Sequence, residues 1–191
     1  MNPSIKLIVG LGNPGQQYAR TRHNAGIWWL ETLANQHQVT LKPTSKFKAH
    51  LAQMPAPLSI RLCQPMTYMN ESGLAVAPLA HFYKIPPEQI LVVHDEIDLP
   101  PGQIKFKLSG GHGGHNGLRN IEKHLASRSF LRLRIGVGHP GTAAEVTNFV
   151  LNQPTIDERS HIDQAIQLSF SCLSAMFSGD WATVMQTLHS N

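Results

Sequence analysis

Lys6-Leu7-Ile8-Val9-Gly10-Leu11-Gly12-Asn13-Pro14-Gly15 is the stretch from which the fold is read. A short apolar run closed by glycine fits a buried strand and is too brief for a helix. Pro14 fixes its own φ and pushes Asn13 into an extended conformation. Gly12 and Gly15 allow close approach, so the turn can project the neutral amide of Asn13 just beyond a strand end. An ordinary strand-to-loop turn is the alternative, since Asn-Pro and Pro-Gly are common there. No Gly-Lys-Ser/Thr follows, which excludes a Walker-type phosphate loop.

Beyond this turn, Asn24 to about Gln38 has helical periodicity, with Ile27, Leu30 and Leu33 on one side. Leu58 to Cys63 and Ile90 to His94 are apolar strands, the second closed by Asp95. Ser72 to Tyr83 is predicted helical, with Pro78 kinking it or sitting in its first turns. Pro100-Pro101-Gly102 is a turn before a strand from Gln103 to Leu108. The glycine-rich run Gly110 to Gly117 leads into a helix ending near Leu125. Leu131, Leu133, Ile135 and Val137 alternate with Arg132, Arg134 and Gly136, which predicts a half-buried strand with two arginines on one face. The tail reads as two helices, about Asp157 to Met176 and Asp180 to His189, split by Gly179. Strands and helices mix along the whole chain, so the expected architecture is an α/β domain with a mixed sheet, residues 1–191 forming one globular unit.

Hydrophobic residues make up 41% and charged residues 15% of the sequence, enough for a real core and against disorder. Cys63 and Cys172 match no zinc or redox spacing, so a reduced cytoplasmic protein is expected. Leu7-Ile8-Val9 is too brief for a secretory signal, and no run approaches the about 18 apolar residues of a membrane helix. The net charge of +4 is unevenly spread. Residues 99–141 hold 7 basic and 1 acidic residue, whereas residues 142–191 hold 1 basic and 5 acidic. A basic middle block suits a polyanion, or else is a solvated face balanced by the tail.

Four polar segments lie near predicted strand ends, where α/β sheets hold ligands. The first is the Asn13 turn. The second, Thr21-Arg22-His23-Asn24-Ala25-Gly26, offers a histidine that titrates near neutrality and can take a proton from water. It reads equally as a loop histidine with Asn24 as a helix N-cap. The third, Pro65-Met66-Thr67-Tyr68-Met69-Asn70-Glu71-Ser72-Gly73, gathers an aromatic ring, a thioether and an amide suited to a base or sugar, unless Asn70 simply caps the next helix. The fourth pairs the carboxylates of His94-Asp95-Glu96-Ile97-Asp98 with the run Gly110-Gly111-His112-Gly113-Gly114-His115-Asn116-Gly117. Glycine-rich entry to a helix suits an anion, although His115-Asn116 interrupts it where the helix should start.

Taken in order, these segments resemble the bacterial-type peptidyl-tRNA hydrolases. The resemblance rests on Gly10 to Gly15, Tyr18, Thr21 to Gly26, Met69-Asn70, His94-Asp95-Glu96 and Asp98 to Gly102. It continues through Lys105-Phe106-Lys107, Gly110 to Gly117, Arg132 to Gly136 and Gly138-His139-Pro140-Gly141. The family has one α/β domain with a twisted mixed sheet surrounded by helices. It cleaves the ester between a peptide and the 3′ ribose of tRNA, so the implied partner is peptidyl-tRNA and the implied state a monomer without cofactor or metal. Carried over, the resemblance makes His23 the catalytic base, Asp95 the carboxylate behind it, and Asn13 the residue that discriminates blocked from free aminoacyl-tRNA. Tyr18, Tyr68, Met69, Asn70, His115 and Asn116 match substrate-contacting positions, with Tyr68 standing where the family often has phenylalanine.

An activated ester needs only a positioned water and a base with a pKa near the working pH. Lys105, Lys107, Arg132 and Arg134, with Arg119 and Lys123 on the next helix, are candidates for phosphate contacts. The loop from Gly138 to Thr142 and the segment after it are lid candidates. Two rivals remain at this level. Eleven histidines, including His112-x-x-His115, allow a metal-dependent hydrolase, although no His-Glu-x-x-His stands in the chain. A non-catalytic RNA-binding module would use the same basic and aromatic features.

Overall fold

The computed structural model describes residues 4–189, through which seven strands run: β1 (Leu7–Gly10), β2 (Lys42–Thr44), β3 (Ala49–Gln53), β4 (Arg61–Pro65), β5 (Ile90–Glu96), β6 (Ile104–Lys107) and β7 (Leu131–Gly136). They form one mixed sheet in the order β2-β3-β4-β1-β5-β7-β6. The central strands β4, β1, β5 and β7 are parallel, while β2, β3 and β6 are antiparallel to their neighbours. Helices α1 (Ala25–Gln36), α2 (Gly73–Phe82), α3 (Asn116–Leu125), α4 (Val146–Val150), α5 (Ile156–Ser169), α6 (Leu173–Ser178) and α7 (Trp181–His189) complete the described residues. None of them is long and apolar enough to cross a membrane.

The strand alternation divides the core in two. Ile8, Leu62, Leu91, Val93, Leu133 and Ile135 face α1 and the tail helices, where Trp29, Ile162, Met176 and Trp181 close over them. Leu7, Val9, Cys63, Ile90 and Val92 face the other way, toward Leu79 of α2 and Ile121 of α3. Covering both faces buries β1 whole and β5 up to Asp95, which accounts for their apolar runs without polar alternation.

Several boundaries differ from expectation. The hairpin β2–β3 at the edge of the sheet was not predicted, because its strands mix lysine, histidine and glutamine with few apolar residues. The strand expected from Leu58 starts at Arg61, since Ser59 takes a left-handed φ of 50° in the preceding turn. Helix α2 continues through Pro78 to Phe82. The first tail helix is broken by a 3-10 turn at Phe170–Cys172, and Gly179 separates the two parts as expected, with φ of 77°. Short α4 was not predicted as a helix. Finally, β7 is buried on both faces, and Arg132 is only 1% exposed. The alternation of arginine and leucine looks amphipathic, but here α3 covers Arg132, while Arg134 stays partly accessible.

Candidate active site

Loops after β1, β4 and β5 meet at the carboxyl edge of the sheet, the usual ligand crevice of such folds. Helix α1 starts directly on that edge. A side chain at Gly26 would place its Cβ 2.3 Å from the Val93 carbonyl and 2.7 Å from the Leu11 nitrogen. Only glycine lets the helix backbone lie this close, and the contact holds the 3-10 turn Arg22–Asn24, with His23 in it, over the end of β5.

Strand β5 runs two residues further than expected, so Asp95 belongs to the sheet and does not close it. It is 2% exposed. His23 Nδ1 lies 2.9 Å from each of its carboxylate oxygens, and His115 Nε2 lies 3.0 Å from Oδ1. The tautomers follow from the partners. His115 is the N-cap of α3, and its Nδ1 accepts from the N–H groups of Gly117 (3.2 Å) and Leu118 (3.4 Å). Nδ1 is therefore unprotonated, and Nε2 carries the proton that it donates to Asp95. His23 likewise donates from Nδ1, which leaves its Nε2 a free lone pair.

Burial is the largest influence on Asp95 and would raise its pKa, but the charges and hydrogen bonds of the two histidines overcome it and hold the carboxyl well below its ordinary range. For His23, burial pulls the pKa down, while the charge of Asp95 and then its hydrogen bond push it up, and the net effect is upward. His94, beside them on β5, is driven down to about 3, first by burial and then by the nearness of His115. It stays neutral and donates from Nδ1 to the Asp95 carbonyl at 2.7 Å.

A cleft of about 760 Å³ opens in front of this triad. Asn13, Tyr18, His23, Tyr68, Met69, Asn70, Asp95, His115 and Asn116 all line it. The Asn13 turn is held by more than Pro14. Its N–H donates to Asn24 Oδ1 (2.8 Å), and Asn24 Nδ2 donates to its carbonyl (3.0 Å). Asn24 thus clamps the turn and makes no side-chain cap to α1. The Asn13 side-chain oxygen accepts from the Met69 N–H at 2.7 Å. That bond fixes the amide's orientation and leaves its NH2 as the group offered to a ligand.

Other positions are revised. Both ring nitrogens of His115 are committed inside the protein, so it holds Asp95 and caps α3, with no nitrogen left for a ligand. The capping also uses two N–H groups that an anion at the glycine run would need. Met69 is largely buried against Gly117, whose Cβ would come within 2.5 Å of the sulfur. Tyr68 remains exposed and meets Tyr18 edge to face at 6.4 Å. Arg132 cannot meet a phosphate, because α3 buries it and Glu122 Oε1 lies 3.3 Å from Nη2. Arg134 stays partly accessible but pairs with Glu96 at 2.9 Å. Lys105 lies opposite it in the sheet register, and Lys107 is exposed further along. Arg119 and Lys123 line a second, shallower depression with His112 and Arg128.

The far wall of the cleft was only partly foreseen. Val146, Thr147 and Val150 of α4 line it, in the segment that follows the Gly138-to-Thr142 loop. This wall is pinned by Arg22, which bonds the carbonyls of Phe149 (3.2 Å) and Gln153 (2.9 Å) and Glu158 (2.8 Å). Partners more than 120 residues apart leave no local signal in a sequence.

The metal-dependent reading meets one group among the described residues: His23, Asp95 and His115 bring ligand atoms within 4.8 Å of one another. A cation there would require His115 Nε2 to be unprotonated, which puts a proton on Nδ1 against two incoming N–H donors. The contacts suit a proton network better than a ligand set.

Fold and cleft together define an α/β protein whose buried His23–Asp95 pair faces a cleft of substrate size. The model of one family, peptidyl-tRNA hydrolase, matches residues 7–191, and the chain belongs to that family. It is 54% identical to the peptidyl-tRNA hydrolase of Alkalilimnicola ehrlichii, over 97% of this chain and 95% of that one. It is 52% identical to that of Coxiella burnetii over the full length of both. The crystal structure of peptidyl-tRNA hydrolase from Acinetobacter baumannii superposes with a TM-score of 0.92 at 47% identity, covering 96% of this chain and 94% of that one.

Proposed function

We propose that this protein hydrolyses the ester joining a peptide, or an N-blocked aminoacyl group, to the 3′ ribose of tRNA, acting in the cytoplasm as a monomer without metal or cofactor. The observation that carries the mechanism is the 2.9 Å contact of His23 Nδ1 with Asp95, which leaves Nε2 as the only basic nitrogen of His23 free to act. His23 Nε2 takes a proton from water as the oxygen adds to the ester carbonyl carbon. Asp95 stabilises the imidazolium that forms. When the tetrahedral intermediate collapses, the bond from carbonyl carbon to ribose oxygen breaks. The imidazolium returns its proton to that oxygen, leaving free tRNA and a peptide acid. An amide N–H faces the developing oxyanion, with Asn70 and Asn116 the side chains placed on the cleft wall to supply it.

The NH2 of Asn13 supports a selection rule. It can donate to the carbonyl of the first peptide group, which a blocked substrate has and a free aminoacyl-tRNA lacks. The same hydrogens repel an α-ammonium, whose desolvation is costly in any case. Tyr18 and Tyr68 offer ring surface to the terminal nucleoside, and Lys105, Lys107, Arg134, Arg119 and Lys123 offer cations to tRNA phosphates.

The direct test is deacylation of N-acetylated aminoacyl-tRNA by the wild-type protein and by His23→Ala. The variant is expected to lose about three to six orders of magnitude in turnover with binding near normal. Near-full activity of His23→Ala would refute the mechanism, and tRNA binding without deacylation by the wild type would favour a non-catalytic RNA-binding role.

A further inference from the structure

Residues 108–114 join β6 to the capped start of α3 and form one rim of the cleft, which His112, Gly113 and Gly114 line. Little in this segment holds it in place. A side chain at Gly111, Gly113 or Gly114 would meet nothing within 4 Å, and Leu108 and Ser109 are exposed. Its local bonds run from the His115 N–H to the His112 carbonyl and from the Gly114 N–H to His112 Nδ1. Among the described residues, one hydrogen bond ties the segment to the body of the sheet: Arg132 Nη2 donates to the Gly110 carbonyl.

Arg132 is built for such a tether. Its Nη1 donates to the carbonyls of Phe130 (3.2 Å) and Arg128 (3.4 Å), and its Nη2 also reaches Glu122 Oε1 at 3.3 Å. A single guanidinium therefore holds the loop before α3, the later part of α3 and the turn after it. A buried arginine is tolerated because Glu122 balances its charge. The planar fork serves several acceptors at once, which a lysine ammonium does not match.

We propose that Arg132 is a positioning residue that keeps the glycine rim in its substrate-binding shape, acting through the Gly110 carbonyl. The proposal rests on the reading of the cleft as the peptidyl-tRNA site. His23 does not depend on this tether, because Asp95 and its partner His115 are held by β5 and by the start of α3. Loosening the rim should weaken capture of substrate and spare the chemical step.

Arg132→Met alone would leave Glu122 with only the outlying Arg128, so a plain loss of stability would obscure the answer. The double variant Arg132→Met/Glu122→Gln removes both charges together. Steady-state hydrolysis of N-acetylated aminoacyl-tRNA and amide hydrogen exchange across residues 110–114 are compared among the wild type, Glu122→Gln and the double variant. KM is expected to rise about tenfold in the double variant, the usual scale of one lost charge-assisted hydrogen bond, with kcat within about twofold of wild type. Exchange of the rim amides should quicken, while Glu122→Gln alone keeps wild-type KM and exchange. Arg132→Lys keeps a charge beside Glu122 without the fork and is the second probe, expected to show the same split. A folded double variant or Arg132→Lys with wild-type KM and wild-type exchange would overturn the proposal, as would a fall in kcat at unchanged KM. Absence of hydrolysis by the wild type would instead strike the functional reading, and the exchange comparison would still decide the tether.

Discussion

Replacing Asp95 by asparagine tests the site most sharply, because one atom changes and the consequence can be worked out contact by contact. His23 Nδ1 is 2.9 Å from both carboxylate oxygens, and His115 Nε2 is 3.0 Å from Oδ1. An amide has one acceptor oxygen. Placed where Oδ1 now stands, it keeps both histidines, but its NH2 then faces the Nδ1–H of His23 at donor-to-donor distance. Reversed, the NH2 faces His115 as well. The cheapest relief is to move the His23 proton from Nδ1 to Nε2, which removes the base. The same substitution deletes the negative charge that would stabilise the imidazolium. Carboxylate-to-amide changes behind a catalytic histidine cost about 10⁴ in kcat, and a loss of about 10³ to 10⁴ is expected here with KM little changed. The assay is single-turnover release of an N-acetylated amino acid from tRNA across pH. In the proposed mechanism only neutral His23 can act, and its pKa is raised, so wild-type activity should fall as the pH drops through a midpoint above the ordinary 6.5. Without the charge of Asp95, burial dominates, and the residual activity of Asp95→Asn should keep its acid limb to a lower pH. A variant within about tenfold of wild-type kcat, or an acid limb that does not move, would refute the reasoning.

Asn13→Ala should narrow the preference for N-acetylated over free aminoacyl-tRNA by about tenfold or more, since the NH2 proposed to donate to the one and repel the other is gone. Unchanged discrimination in a competition assay would remove Asn13 from the selection rule. Affinity for deacylated tRNA should fall steeply with salt, and Lys107→Ala should lower the slope of log K against log salt by about one. An affinity that barely responds to salt would argue against phosphate contacts at this face.

How far the sequence could be read varied with the range of the interactions involved. The strands β1 and β5 were legible because a buried parallel strand shows itself as a local apolar run. Helix α1 was legible from the spacing of Ile27, Leu30 and Leu33, and Gly179 marked the break between the tail helices. The edge hairpin β2–β3 was missed, since a half-exposed strand of mixed residues has no period to find. Arg132 was misplaced for the opposite reason. Its alternation with leucine looks amphipathic, and only the packing of α3 over that face turns a surface cation into a buried one. His115 lines the cleft, but nothing in Gly-Gly-His-Asn-Gly says that both of its ring nitrogens are taken, one by Asp95 and the other by the start of α3.

Local pattern carried the α/β class, and the resemblance of the ordered motifs to a known family picked out residues that gather at the cleft: His23, Asp95, Asn13, Tyr18, Tyr68, Asn70 and Asn116. The first is a matter of apolar runs and periodicity in short stretches of chain; the second was carried only by the resemblance of the ordered set, since each segment alone also reads as a plain turn, loop or cap. Tertiary structure alone decided which nitrogen of His23 is free, which end of the Asn13 amide faces the cleft and which arginines reach solvent. Each depends on a partner distant in sequence: Asp95 for His23, the Met69 N–H for Asn13, and the covering of Arg132 by α3. A proton's position is set by the acceptor it meets, and only the fold brings donor and acceptor together.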